Sequence, residues 1–343
     1  MHMHARPVLA TEYSVPRSWY AVLLVPYLSS FAIAADPVPR TIYVSPQGSD
    51  KAVGTQAEPL QTLKQALARA EAGDTIRLAA GNYSGNVKTR VSGIIIEGPA
   101  EAIISTPERG LEVLHDRTTV RGLMFEKCDI GVWIFGANGC VLEWLHFRDL
   151  GGEGIRIKNQ SCRNIVRDCR FERLGRTGFD AAAGRKNGEG VYIGTAPEQR
   201  SKNQPPNVPD RCTQNIIEDC VFKTAAAEAV DIKEDSEENI VRRCKGEGSL
   251  DPDGPIFGSR GDRNRFEDCV ATNGAGHGFR FGGDTVKQGQ YGQTADRTYG
   301  MNNVMRNCRA ENNALYGVAP MVQPQDIDES NTFPGNGKGP IRK

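Results

Sequence analysis

The sequence has no net charge, 42 lysines and arginines balancing 42 aspartates and glutamates over 343 residues. That balance excludes a general attraction for nucleic acid or an anionic membrane, so a polyanionic ligand has to be held by local charge. Long apolar runs are also missing. The N-terminal run Tyr20-Ala-Val-Leu-Leu-Val-Pro-Tyr-Leu-Ser-Ser-Phe31 falls short of the roughly 20 apolar residues that span a bilayer. Arg6 and Arg17 precede it and Ala32-Ile33-Ala34 follows, the pattern of a signal peptide over residues 1–34. The expectation is a mature chain starting near Ala35, secreted or periplasmic and free of the membrane; an uncleaved anchor is the alternative.

What the sequence does have is a repeat. An Asn followed five places later by a Cys recurs at Asn164/Cys169, Asn215/Cys220, Asn239/Cys244, Asn264/Cys269 and Asn303/Cys308. Ten residues before three of these asparagines stands a small residue opening a second apolar phrase, at Gly154, Ala229 and Gly254. A β-type phrase pair at this period is one coil of a parallel β-helix, whose apolar side is buried only by stacking on its neighbours. The fold expected is therefore all-β, one solenoid domain over residues 35–325. Five of the nine cysteines share one repeat position, where stacking makes a buried thiol ladder at about 4.8 Å spacing. Cys140 and Cys162 lie outside it and are the expected disulfide. Residues 326–343 lack the periodic pattern and are expected to be a flexible tail.

Near the N-terminus, a strand followed by a turn over 41–50 precedes a helix over about 58–73 with Leu60, Leu63, Leu67 and Ala70 on one face. Such a helix would plug the open end of the stack. YVSPQGSD and PLQTLKQALARAEAGDTIRLAAGNY together resemble the N-terminal cap and first coil of secreted right-handed β-helix proteins, many of them polysaccharide lyases. The resemblance implies a right-handed parallel β-helix. Coils counted from Gly131, Gly154, Gly190, Ala229, Gly254, Gly278 and Gly317 leave three Gly- and Pro-rich loops over 172–188, 194–212 and 283–302. These bracket the same few coils, which points to function.

Registering the coils on those small residues makes columns. One position earlier come Glu153, Glu189, Glu228, Asp253 and His277; two later come Trp133, Arg156, Tyr192, Asp231, Ile256 and Arg280; four later come Lys158 and Lys233. Alternation turns these outward as a polar strip. Stacked acids repel unless a cation lies between them. Glu189, Glu228 and Asp231, with Asp253 next, are thus candidate ligands for a hard cation such as Ca²⁺. The alternative is a surface ion-pair network in which Arg156, Lys158 and Arg280 neutralise the acids. Lys233, likewise, is either a functional amine or a solvated lysine paired to Asp231 or Glu234.

The run Glu228-Ala-Val-Asp-Ile-Lys233-Glu-Asp-Ser236-Glu-Glu-Asn239, followed by Gly258-Ser-Arg260-Gly-Asp, resembles the β-helix lyase family that contains chondroitinase B and alginate lyases. By that resemblance Glu228 is a metal ligand, Lys233 the Brønsted base and Arg260 the assisting cation. The chain departs from the pattern in a longer Lys-to-Asn segment, in Ala226 where a Glu is expected, and in having Glu189 as the nearest substitute for an Asn ligand. Abstraction of the proton at C5 of a uronic acid charges the adjoining carboxylate, which a cation stabilises. A Lys233 crowded by Arg260 is expected to have a lowered pKa suited to a base. Tyr192 or His277 would protonate the leaving oxygen, and Arg156, Lys158, Arg280 and Trp133 would bind the sugar chain.

The expectation is a monomeric lyase acting on an acidic polysaccharide. A hydrolase or uronate epimerase would instead use Glu189, Glu228 and Asp253. A non-catalytic carbohydrate-binding β-helix needs aromatic platforms, and only Trp133 and Tyr192 stand on the strip.

Overall fold

The structure, a computed structural model, describes residues 38–223 and 226–343. The predicted signal peptide lies outside the described residues. The described residues wind through three parallel sheets of 11, 10 and 9 strands, each strand pairing with its counterpart one coil away. Two short antiparallel hairpins, Phe179–Asp180 with Arg185–Lys186 and Thr285–Val286 with Arg297–Thr298, stand off the stack inside two of the expected loops.

The recurring Asn and Cys have distinct physical jobs. Asn164, Asn215, Asn239, Asn264 and Asn303 are all fully buried. The amide oxygens of the last four each accept the backbone N–H of the preceding Asn at 2.8–3.0 Å, and that of Asn164 accepts the Cys140 N–H at 2.8 Å. A column of polar side chains thus satisfies the backbone at a buried corner, where unpaired groups are expensive. Cys169, Cys220, Cys244, Cys269 and Cys308 form the expected buried ladder. Beside them Phe125, Phe147, Phe171 and Phe222 stack at 5.3, 4.8 and 4.5 Å.

The expected disulfide is absent, all nine cysteines being free. Cys140 is buried, whereas Cys162 is partly exposed and lies 3.3 Å from the Arg211 carbonyl. The cap helix is shorter than expected, Leu63–Arg69. Leu60 is taken by a bridge to Val44, and Thr62 starts the helix by accepting the Gln65 N–H. Leu63, Ala66 and Leu67 then cover the terminal core. At the other end the expected tail is part of the stack, with Asp326–Ile327 and Gly339–Ile341 extending two sheets. Asn331 and Asn336 explain this, since they continue the side-chain capping of Cys308 and Asn313 N–H groups.

One column is displaced by two residues. Ala229 pairs across to the position of Ile256, not Gly254, because Val230 faces Phe257 and Asp231 faces Gly258. In the coils of Gly131, Gly154 and Gly190 a side chain would meet the rings of Phe147, Phe171 and Phe222 at 2.3–2.6 Å. In the shifted coil the sizes are exchanged. Gly246 replaces Phe, and a Cβ there would lie 2.3 Å from Ile256.

Candidate active site

Strand Val230–Ile232 turns Val230 and Ile232 into the core and Asp231 outward. Glu189 and Glu228 occupy adjacent rungs of the same sheet, one residue before Gly190 and Ala229. Carboxylate oxygens of Glu189, Glu228 and Asp231 all lie within 4.8 Å of one another, and all three side chains are buried. Burial first, then repulsion by Glu153 and Glu228, pushes the Glu189 carboxyl up to about 8. Burial and Asp231 push Glu228 up to about 7. Burial opposes ionisation of Asp231 as well, but Lys233, Arg260 and Arg280 outweigh it and hold this carboxyl low. Three converging oxygens under mutual repulsion are a donor set suited to a hard cation such as Ca²⁺.

Asp253 is a correction to this set. With the column displaced, Pro255 occupies the rung beyond Glu228, and the Asp253 side chain is 82% exposed, 3.3 Å from Lys186. Asp251 enters instead. It is buried, accepts from Lys186 at 2.8 Å, and lines the same pocket as Glu189, Glu228, Asp231, Lys233, Arg260 and Arg280. Lys186 comes from the hairpin in the 172–188 loop.

Lys233 is a buried lysine ion-paired with Asp231, not a solvated one. The expected lowering of its pKa is reversed. Burial does pull it down, but Asp231 and Tyr192 outweigh burial and the Arg260 charge, so the ammonium is held above its usual range. The same displaced register that removes Asp253 brings Arg260 next to Lys233 along the stack, the Arg260 N–H bonding to the Ile232 carbonyl at 2.8 Å. Arg260 also lies 3.9 Å from Glu234. The Lys233 ammonium is 4.7 Å from the centre of the Tyr192 ring, and the Arg156 guanidinium is 4.6 Å from it. Burial, before any charge, raises the Tyr192 phenol.

His277 stands apart. Pro255 separates it from Glu228 by a rung, its ring stacks on Tyr316 at 5.9 Å, and burial with the charge of Arg280 pulls its pKa down to about 4. Trp133, Arg156 and Lys158 line a separate cavity of about 660 Å³ farther along the strip. Arg156 is paired to Glu153. Lys158 is buried, which together with Arg156 lowers its pKa.

Two cations of this cavity escaped the column reading. The Arg109 guanidinium sits 3.5 Å from the centre of the Trp133 ring; it pairs with Ile130, so it stands one coil before the column as read from Gly131. Lys202 has no sequence signal, since it arrives on the turn Pro197–Lys202 within a long loop.

The description "Right handed beta helix region" matches residues 81–195 and 206–341, and a protein of unknown function family matches residues 46–98. Pectate lyase PEL9 of Emericella nidulans is 30% identical over 152 residues, 36% of this chain and 37% of that protein. The aligned stretch thus spans little more than a third of that relative. Among solved structures, an alginate lyase from Paenibacillus sp. str. FPU-7 superposes with TM-score 0.66 at 19% identity, covering 88% of this chain and 99% of the other. Pectate lyase Pel9A superposes with TM-score 0.59 at 15% identity, covering 86% and 80%. At these identities the likeness is one of fold. Among the described residues no helix is long and apolar enough to cross a membrane.

Proposed function

We propose that this chain, a member of the right-handed β-helix family, is an exported, monomeric polysaccharide lyase that cleaves a uronate-containing polysaccharide by β-elimination. The observation that carries the reading is Lys233 and Arg260 set on adjacent rungs beside three buried carboxylates, in line with a cavity rich in cations. Balanced net charge makes such local concentration the means of holding an acidic chain.

In this reading Lys233 Nζ, in its neutral form, takes the proton from C5 of a bound uronate. The electron pair left behind forms the C4–C5 double bond as the bond from C4 to the leaving oxygen breaks, and that oxygen takes a proton. Arg260 and Arg280 oppose the negative charge that builds on the uronate carboxylate. Glu189, Glu228 and Asp231 would hold a Ca²⁺, which would supply further positive charge to the site. Tyr192, whose raised phenol stays protonated, is the donor beside Lys233, and His277, a rung removed and neutral, serves binding. The ion pair with Asp231 keeps Lys233 protonated at neutral pH, so elimination speeds up with rising pH.

Of the three acids of the hydrolase alternative, Asp253 is out of the column, while Glu189 and Glu228 stay side by side. The test is ultraviolet absorbance of the new double bond across alginate, pectate, glucuronan and glycosaminoglycans, wild type beside Lys233→Ala. A rise abolished by the substitution supports elimination at Lys233. Reducing ends released without absorbance would reject it.

A further inference from the structure

Arg200 is a fully buried arginine in a surface loop. Its Nε and one terminal nitrogen donate to Asp235 Oδ2 at 2.9 and 2.6 Å, and the latter nitrogen also donates to the Tyr299 hydroxyl at 2.8 Å. Its other terminal nitrogen reaches the Tyr291 carbonyl and Gln293 Oε1, both at 3.2 Å. The Tyr299 hydroxyl lies 3.1 Å from Asp235 Oδ1, which closes the network. Arg200, Asp235 and Tyr299 are each 2% exposed or less.

Three segments far apart in sequence meet here: the 194–212 loop, the turn after strand Val230–Ile232, and the 283–302 loop. Asp235 is two residues beyond Lys233, inside a turn closed by the Ser236 N–H to the Lys233 carbonyl at 2.9 Å. The Ser236 hydroxyl fixes the far side of that turn to the Asp210 carbonyl at 3.1 Å. On the solvent side of the Pro197–Lys202 turn, Gln199 and Lys202 line the cationic cavity beside Trp133 and Lys158. One short turn therefore offers its outer residues to the groove and its inner arginine to the segment carrying Lys233.

We infer that Arg200, through Asp235 and Tyr299, is a positioning residue that locks the Lys233 turn to the wall of the substrate groove. A buried ion pair of this kind adds little net stability over an apolar pair of similar volume, yet removing one partner strands a charge. Its contribution is to fix one geometry. Because two loops converge on the pair, the groove wall and the amine share a single rigid support. The inference relies on the lyase reading only for what Lys233 does.

The test compares the paired replacement Arg200→Met with Asp235→Leu, which strands no charge, and the single Tyr299→Phe, in the full chain. Thermal melting, hydrogen exchange at the Lys233 and Ser236 amides, and kcat and KM on the polysaccharide that yields the double bond are measured. The expected result for the paired variant is a melting temperature near wild type, amide exchange at least tenfold faster, and kcat at least tenfold lower with KM for a short oligosaccharide unchanged. Tyr299→Phe shifts exchange and kcat the same way, by about threefold. Should the paired variant not fold, Tyr299→Phe decides. Wild-type exchange and kcat in the folded variants would overturn the inference. Should no polysaccharide be eliminated, the lyase reading fails while the exchange result still judges the lock.

Discussion

Raising the pH in the absence of divalent cations should loosen this protein in a window set by buried carboxyls, Glu189 and Glu228 foremost, with Glu234 also raised to about 7 by burial. Glu189 and Glu228 sit at about 8 and about 7 in the folded chain, against about 4.5 when exposed. Both folded values are raised, so the folded state holds more protons than the unfolded state between about pH 4.5 and 8. Stability is greatest below that window and is lost as pH rises through it. At about 1.4 kcal/mol per pKa unit, Glu189 taken alone accounts for on the order of 5 kcal/mol. The two together give less than the sum of both, because protonating one relieves the other. For a chain of this size that corresponds to a fall of roughly 10 °C in melting temperature. Circular dichroism melts from pH 5 to 9 with chelator should show that fall, Glu189→Gln should lessen it, and added Ca²⁺ should restore the melting temperature above pH 7. A flat profile with chelator, or a Glu189→Gln profile matching wild type, would refute the argument that burial, with repulsion added to it, holds these carboxyls raised in a closed site.

Three further outcomes are expected. Asn239→Ala removes the acceptor for the Asn215 backbone N–H and the donor to the Cys212 carbonyl, both buried, and should cost about 2–4 kcal/mol in urea unfolding; a cost below 1 kcal/mol would deny the ladder its structural role. Trp133→Ala dismantles the platform under Arg109 and should raise KM roughly two- to tenfold with kcat nearly unchanged, as steady-state kinetics would reveal. Of nine free thiols only the partly exposed Cys162 should react with a thiol reagent in the native state, a count that titration before and after unfolding checks.

The fold was legible because its determinants repeat. Asn and Cys at fixed spacing mark a corner and a core column whatever lies between them, and the coil follows. The Lys233–Arg260 juxtaposition was reached by resemblance, since the columns read from Gly254 put Arg260 out of line with Lys233. That slip arose because side-chain size is conserved between strands and not within one: Ile256 takes a glycine position only because Gly246, in another sheet, has given up its phenylalanine. The charge state of Lys233 was equally hidden. Arg260 is visible in the next repeat, but the burial that strengthens the Asp231 pair depends on loops whose path no local pattern encodes. Arg200 illustrates the same limit, since an arginine in a Pro- and Gln-rich loop reads as solvated until Asp235 and Tyr299 are seen around it.

The most direct test of elimination at this site is the mass of the products formed in water enriched in heavy oxygen. Elimination predicts fragments whose new non-reducing ends lack the mass of one water and carry no heavy oxygen from the cleavage, with none formed by Lys233→Ala. Fragments that gain one heavy oxygen per cut, or a Lys233→Ala enzyme as active as wild type, would contradict it.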